Sequence, residues 1–273
     1  MDKFRQYINV AYPPGNKPIF EEWFTENYSG CSTDRQLIPA WFTSYWVNNN
    51  YGNDLRAKQA MQQFIDSLDR NKRWFTVIQY DDGALIDFKD LDVLQFNMSK
   101  SFHVSLPLLC RPHPYYFSGS KKWLANFIGS NTHPVRNSVK QFDYKEGYYI
   151  SFERHKTEDY CRVLHESVFT LCPRGYGANS FRISEAVQYG SIPVYISDEF
   201  TIPAWMDFES FGVLVDAEDA HRVNEIIESI EPAEVVRKQE RLAEAYQKFY
   251  TFESTLKHIV SYIETEYNKR QTA

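Results

Sequence analysis

Between Trp123 and Ser229 short apolar runs alternate with amphipathic stretches. They come in the order Trp123–Ile128, Arg136–Gln141, Tyr148–Phe152, Thr157–Glu166, Val168–Cys172, Phe181–Tyr189, Ile192–Ile196, Phe211–Val215 and Asp219–Ser229. The apolar runs suit strands buried on both faces, and the intervening stretches carry helical spacing. Such a chain is driven towards a doubly wound parallel sheet, because each crossover helix covers one face. Gly190 follows the Phe181–Tyr189 helix. Lacking a Cβ, it suits the left-handed residue that ends a helix.

The first half repeats the α/β pattern more faintly: an apolar run Tyr7–Ala11, an amphipathic Asp54–Leu68, then runs at Trp74–Tyr80, Asp92–Phe96 and His103–Leu109. Arg111-Pro112-His113-Pro114 and Ser118-Gly119-Ser120 concentrate proline and small residues, the composition of a hinge between lobes. The expected division is 1–118, 119–250 and a final helix over 251–273. That helix carries Leu256, Ile259, Val260, Ile263 and Tyr267 on one stripe, which must pack back on something.

Composition narrows the function classes. The 30 Lys and Arg against 36 Asp and Glu leave a net charge of -6, which argues against nucleic acid as a partner. No apolar run approaches the roughly 20 residues of a bilayer crossing, so no membrane anchor is expected. Cys31, Cys110, Cys161 and Cys172 are scattered without a C-x-x-C pair, which fits a reducing, cytoplasmic compartment. Aromatic residues reach 16%; most are expected in the core, with Trp41-Phe42, Tyr45-Trp46 and Tyr115-Tyr116-Phe117 as candidates to stack on sugar rings.

The chemistry concentrates in Leu171-Cys172-Pro173-Arg174-Gly175-Tyr176-Gly177-Ala178-Asn179-Ser180-Phe181-Arg182-Ile183-Ser184-Glu185-Ala186, a strand end, a glycine-containing turn and a helix opened by an Asn or Ser cap. Free N–H groups at such a helix start seat a diphosphate. Gly175 lets the backbone approach, Arg174 and Arg182 can fork onto phosphate oxygens, and Tyr176 is placed to touch a base or donor sugar. Glu185 shares a helix face with Arg182 and can accept the two vicinal hydroxyls of a ribose, although the same pair suits a plain surface ion pair.

With Ser191–Asp198 and Ile202-Pro203 behind it, this segment resembles the C-terminal signature of the exostosin family, glycosyltransferase family 47. The family's elements stand here, in order, as Cys172–Gly175, Ser180–Ala186, Gly190–Val194, Ile202–Trp205, Asp207-Phe208 and Phe211–Val215. Fainter matches lie at Phe127-x-Gly129 with Arg136-Asn137, and at Val77–Gly83. The resemblance implies a GT-B-like α/β fold of two facing Rossmann-like lobes, with 1–118 on the acceptor side and 119–250 binding the nucleotide sugar. It implies an inverting, metal-independent transferase that moves a sugar from a UDP-sugar, UDP-xylose first, to a glycan hydroxyl, with no cofactor. Donor-site roles carry over to Arg174, Arg182, Glu185 and Ser180, and Arg136 is expected at the same site. The chain departs from the family in its short first lobe and in lacking an anchor and luminal disulfides, and so is similar to soluble short forms of large algal viruses or bacteria; in the viral case the compartment is the host cytoplasm.

Inversion needs a base for the acceptor hydroxyl. Asp81, at the end of the Trp74–Tyr80 run, is the first candidate; Asp82 and Glu153 are alternatives, and Asp81-Asp82-Gly83 also reads as a plain turn. Asp90-Leu91-Asp92 has the D-x-D form of metal-dependent transferases but follows no buried strand, and no metal site is expected. The rival readings are a GDP-fucose fucosyltransferase, whose motif usually has lysine where Arg182 stands, and a non-catalytic glycan-binding module.

Overall fold

The computed structural model describes residues 3–9, 17–99 and 103–272. It is α/β throughout, with two parallel sheets in two compact units. One unit comprises Met1–Arg111 and Thr251–Ala273, the other Pro112–Tyr250.

The first unit runs α1 (Phe20–Asn27), β1 (Arg35–Leu37), α2 (Phe42–Asn48), α3 (Leu55–Asp66), β2 (Arg73–Ile78), β3 (Asp92–Asn97) and β4 (Val104–Ser105), with strand order β1-β2-β3-β4. Asp54 caps α3 by accepting from the N–H groups of Arg56 and Ala57 at 2.8 and 3.2 Å; Ala57, Met61 and Ile65, four apart, form its buried face. The His103–Leu109 run pairs only over Val104–Ser105. The end of the Tyr7–Ala11 run, Val10 and Ala11, lies outside the described residues, and Tyr7–Asn9 takes no regular structure. Trp41, Phe42, Tyr45 and Trp46 are buried here, with the Trp46 indole N–H donating to the Ala84 carbonyl at 2.9 Å. These four serve the core, each contributing about 2 to 3 kcal/mol through burial.

Glu21 is enclosed in this core. The Thr43 N–H donates to its two oxygens at 3.3 and 3.0 Å, and the Gln79 N–H, just past β2, reaches it at 3.5 Å. Burial pushes its carboxyl up from 4.5 to about 8, outweighing the lowering by these donors. The folded state therefore keeps a proton that the unfolded chain releases. This contribution to stability is fully present below about pH 4.5 and is lost as the pH rises towards 8, by at most about 1.4 kcal/mol per pH unit. Glu21→Gln should flatten the fall of Tm between pH 5 and 8; an unchanged slope in calorimetry would refute this.

The second unit runs β5 (Trp123–Ile128), α4 (Val135–Lys140), β6 (Tyr148–Ser151), α5 (Thr157–His165), β7 (Ser167–Pro173), α6 (Phe181–Gln188), β8 (Ile192–Ser197), β9 (Val213–Asp216), α7 (Val223–Glu228) and α8 (Pro232–Phe249). Its strand order is β6-β5-β7-β8-β9, all parallel. The strand expected over Phe211–Val215 starts at Val213 because Phe211 closes a 3-10 turn over Phe208–Ser210. The helix expected over Asp219–Ser229 splits into a 3-10 turn, Ala217–Arg222, and α7. Tyr115 and Phe117 pack against a cluster of Cys161, Leu164 and Tyr189, whereas Tyr116 is exposed.

The last helix, α9 (Phe252–Gln271), belongs to the first unit and packs back on it. Phe252 meets Phe20 edge-on at 5.2 Å, and Glu266 takes Arg35 at 2.9 Å, where Arg35 also holds Asp92 at 2.8 Å. Among the described residues no helix is long and apolar enough to cross a membrane, and all four cysteines are free.

Candidate functional site

The strand order of the second unit decides where a ligand can sit. From β5 the chain crosses one way through α4 to edge strand β6, and from β7 it crosses the other way through α6 to β8. The connections part at the carboxyl ends of β5 and β7, and in open α/β sheets that switch point leaves a crevice. Ile128-Gly129 ends one strand and Pro173-Arg174-Gly175 the other.

Arg136, Arg174, Gly175, Ser180, Arg182 and Glu185 gather around this point. Arg136 is 6% exposed and donates to three backbone carbonyls, those of Arg174 (2.9 Å), Ser130 (2.7 Å) and Pro173 (3.3 Å). A Cβ on Gly175 would stand 3.0 Å from its Nη2, so glycine makes room for the guanidinium. Arg182 donates through Nε to the Ile128 carbonyl at 2.8 Å and lies over the Phe127 ring at 4.8 Å; Arg136 approaches that ring at 5.9 Å. Burial, and then the nearby Arg182, pushes the Arg136 guanidinium down to about 9. Among the described residues neither Arg136 nor Arg182 has a carboxylate within salt-bridge distance. Two neighbouring guanidiniums held by carbonyls and an aromatic face form a positive site with no carboxylate in direct contact among the described residues.

Ser180 is the N-cap of α6, its hydroxyl accepting from the Arg182 N–H at 3.4 Å. Asn179 stands behind it, accepting from the Ser180 N–H at 2.7 Å and donating to Thr201 at 2.9 Å. Ile183, Ala186 and Val187 anchor the helix, and Gly190, at φ 68°, follows its end. Arg174 has its fork turned to Asp198, whose carboxyl it lowers, and to the Tyr176 carbonyl at 3.3 Å, while its buried Nε has no partner. Tyr176 is 76% exposed.

Glu185 makes no surface ion pair with Arg182. Its Oε1 meets His113 Nε2 at 2.9 Å and its Oε2 accepts from the Tyr160 hydroxyl at 2.5 Å. Burial raises its carboxyl, but His113, Tyr160 and the charge of Arg182 together hold it below the ordinary range. Sequence patterning gives no site role to Tyr160, His113 or Asp198, and of the two caps it offers, Asn179 and Ser180, the structure uses Ser180. His113 lies in a proline-rich stretch with the look of a hinge, and Tyr160 sits in a helix whose pattern marks no site.

Asp81 and Asp82 lie in the first unit, in the turn after β2 that Gly83 closes at φ 75°. Asp81 is half-buried; Asp82 is exposed and lines a groove of about 780 Å³ with Gln62, Phe88, Gln95 and His103. Glu153 is exposed beyond β6. Asp90 pairs with Arg70 at 2.7 Å, and Asp92 with Arg35 and Arg73 at 2.8 and 2.5 Å, so the two turn to different arginines.

Residues 62–230 match the model of the Exostosin GT47 domain, from within α3 to the end of α7. The chain belongs to this family. The switch-point residues of this exostosin GT47 chain all fall within the matched span. A "Probable glucuronosyltransferase" of Oryza sativa subsp. japonica is 40% identical over 101 residues, covering 36% of this chain and 23% of that protein. A "Probable beta-1,4-xylosyltransferase" of Arabidopsis thaliana is 38% identical over 101 residues, covering 36% and 24%. The match thus spans about a quarter of these plant proteins. An "Exostosin-1 homolog" of Caenorhabditis elegans is 26% identical over 256 residues, covering 72% of this chain and 67% of that one. Among solved structures, TarM is similar at a TM-score of 0.46 with 8% identity, over 76% of this chain and 45% of TarM.

Proposed function

We propose that this exostosin GT47 chain is an inverting glycosyltransferase that moves a sugar from a UDP-sugar to a glycan hydroxyl without a metal ion. The observation that carries the reading is the pair of guanidiniums, Arg136 and Arg182, held without a carboxylate partner at the carboxyl ends of β5 and β7. Such a site offers the departing diphosphate the charge that a divalent ion supplies elsewhere, and the α6 N-terminus adds its dipole. Arg174 joins them if diphosphate draws its fork away from Asp198. Glu185 supplies a carboxylate for the ribose hydroxyls, and Tyr176 an exposed ring for base or sugar.

UDP-xylose is the first donor to test. The printed name of the Arabidopsis relative supports it, and that of the Oryza relative brings in UDP-glucuronic acid as the next. Asp81 is the proposed base, supported by its position at the carboxyl end of the first sheet, with Asp82 and Glu153 as alternatives. The groove beside Asp82 offers aromatic and polar side chains to a glycan acceptor.

Thermal-shift titration with UDP, GDP and NAD is expected to show stabilisation by UDP alone, since a ligand bound only by the folded state raises Tm. Selective stabilisation by GDP would favour the fucosyltransferase reading, and by NAD would end both. Asp81→Asn should keep UDP binding and lose transfer, and transfer should survive EDTA.

A further inference from the structure

The arrangement around Glu185 is more specific than nucleotide binding requires. A carboxylate on the second turn of α6 could turn freely about its last bond, yet both oxygens are held: Oε1 by His113 Nε2 and Oε2 by the Tyr160 hydroxyl. Because a carboxylate only accepts, Nε2 carries the proton in this contact. His113 is itself fixed. Its backbone N–H donates to Gln188 Oε1 at 3.2 Å, Gln188 Nε2 returns a bond to its carbonyl at 2.9 Å, and its ring lies near-parallel to Tyr189 at 6.4 Å. Tyr160 is anchored in α5 beside the cluster of Cys161, Leu164 and Tyr189. Burial, and then the charge of Glu185, raises the Tyr160 phenol well above its ordinary value, so it stays a donor at physiological pH. The Glu185 side chain keeps 13% of its surface accessible, and each oxygen has a second lone pair free of these two donors.

We infer that Tyr160 and His113 are positioning residues that hold the Glu185 carboxylate in one plane, so that it accepts the two hydroxyls of a vicinal diol together and the site selects ribonucleotide over 2′-deoxyribonucleotide donors. A carboxylate free to rotate still accepts one hydroxyl from either sugar. A fixed one turns one free lone pair towards each hydroxyl, so a sugar lacking the 2′ hydroxyl leaves one of those lone pairs without its bond at a partly buried site. The inference rests on the proposed reading of Glu185 as the residue that faces the donor ribose.

The test is the ratio of affinities for UDP and 2′-deoxy-UDP, by calorimetric titration of the full chain. Wild type should prefer UDP by about 10-fold or more, the scale of one hydrogen bond to a charged group. Tyr160→Phe keeps the ring and its packing and should bring the ratio within about 3-fold. A variant that merely loosened the fold would weaken both ligands alike and leave the ratio unchanged. If Tyr160→Phe does not fold, His113→Asn carries the same measurement. A wild-type ratio retained in the folded variant overturns the positioning role. A wild type that binds both nucleotides equally overturns the ribose reading of Glu185 instead, and one that binds neither overturns the proposed donor.

Discussion

Arg182→Ala should lower sugar transfer about 10² to 10³-fold, the usual cost of removing one preorganised charge stabiliser from a reacting centre. The guanidinium rests on the Ile128 carbonyl and the Phe127 ring, contacts at the rim of the sheet, so the fold should survive its loss. Its removal leaves Arg136 as the remaining guanidinium without a carboxylate partner at this point, and Arg136 is committed to three carbonyls. The loss should fall on both UDP affinity and kcat, because charge on the leaving diphosphate grows as the glycosidic bond breaks. Arg182→Lys should recover only part of it, since an ammonium keeps the charge but loses the fork. Wild-type kcat/KM in the alanine variant would remove Arg182 from the donor site.

Gly129→Ala should weaken UDP binding about 10-fold or more, although glycine offers no functional group. A Cβ there would stand 1.7 Å from Arg182 Nη2 and 2.7 Å from its Cζ, so the guanidinium must leave its seat. The displaced atoms end a flexible side chain, and Gly129 has no left-handed backbone to lose, so Tm should shift little. Because both substitutions act through one guanidinium, Gly129→Ala should add almost nothing in an Arg182→Ala background. Additive losses in UDP titrations would show that Gly129 acts by another route.

The second unit was legible because its central strands β7 and β8, buried on both faces, read as continuous apolar runs, and because α6, unlike α4, α5 and α7, has a side-chain cap at its start and a glycine after its end. Ser180 and Gly190 bracket α6 in just this way. α8 escapes notice because its buried face is thin: Leu242, Ala245 and Phe249 share it with Lys238, which is satisfied by the Gly212 carbonyl at 3.0 Å. β1 escapes because three residues are too few to show a period, and its buried member is Arg35, tolerable only because Asp92 and Glu266 meet it.

What the sequence determined by itself is local: the strand-turn-helix from Leu171 to Ala186, an Asn or Ser cap at its helix, and the placing of Arg174, Arg182 and Glu185 within it. What only the tertiary structure decided is which groups these side chains touch. The β6-β5-β7-β8-β9 order brings Arg136 and Arg182, separated by two strands and a helix in the chain, to one aromatic ring. It turns Arg174 towards Asp198, and it closes His113 and Tyr160 on the two oxygens of Glu185. Spacing along a chain fixes which neighbours share a helix face; hydrogen bonds between residues far apart in the chain depend on how the strands are ordered, and no local pattern encodes that order.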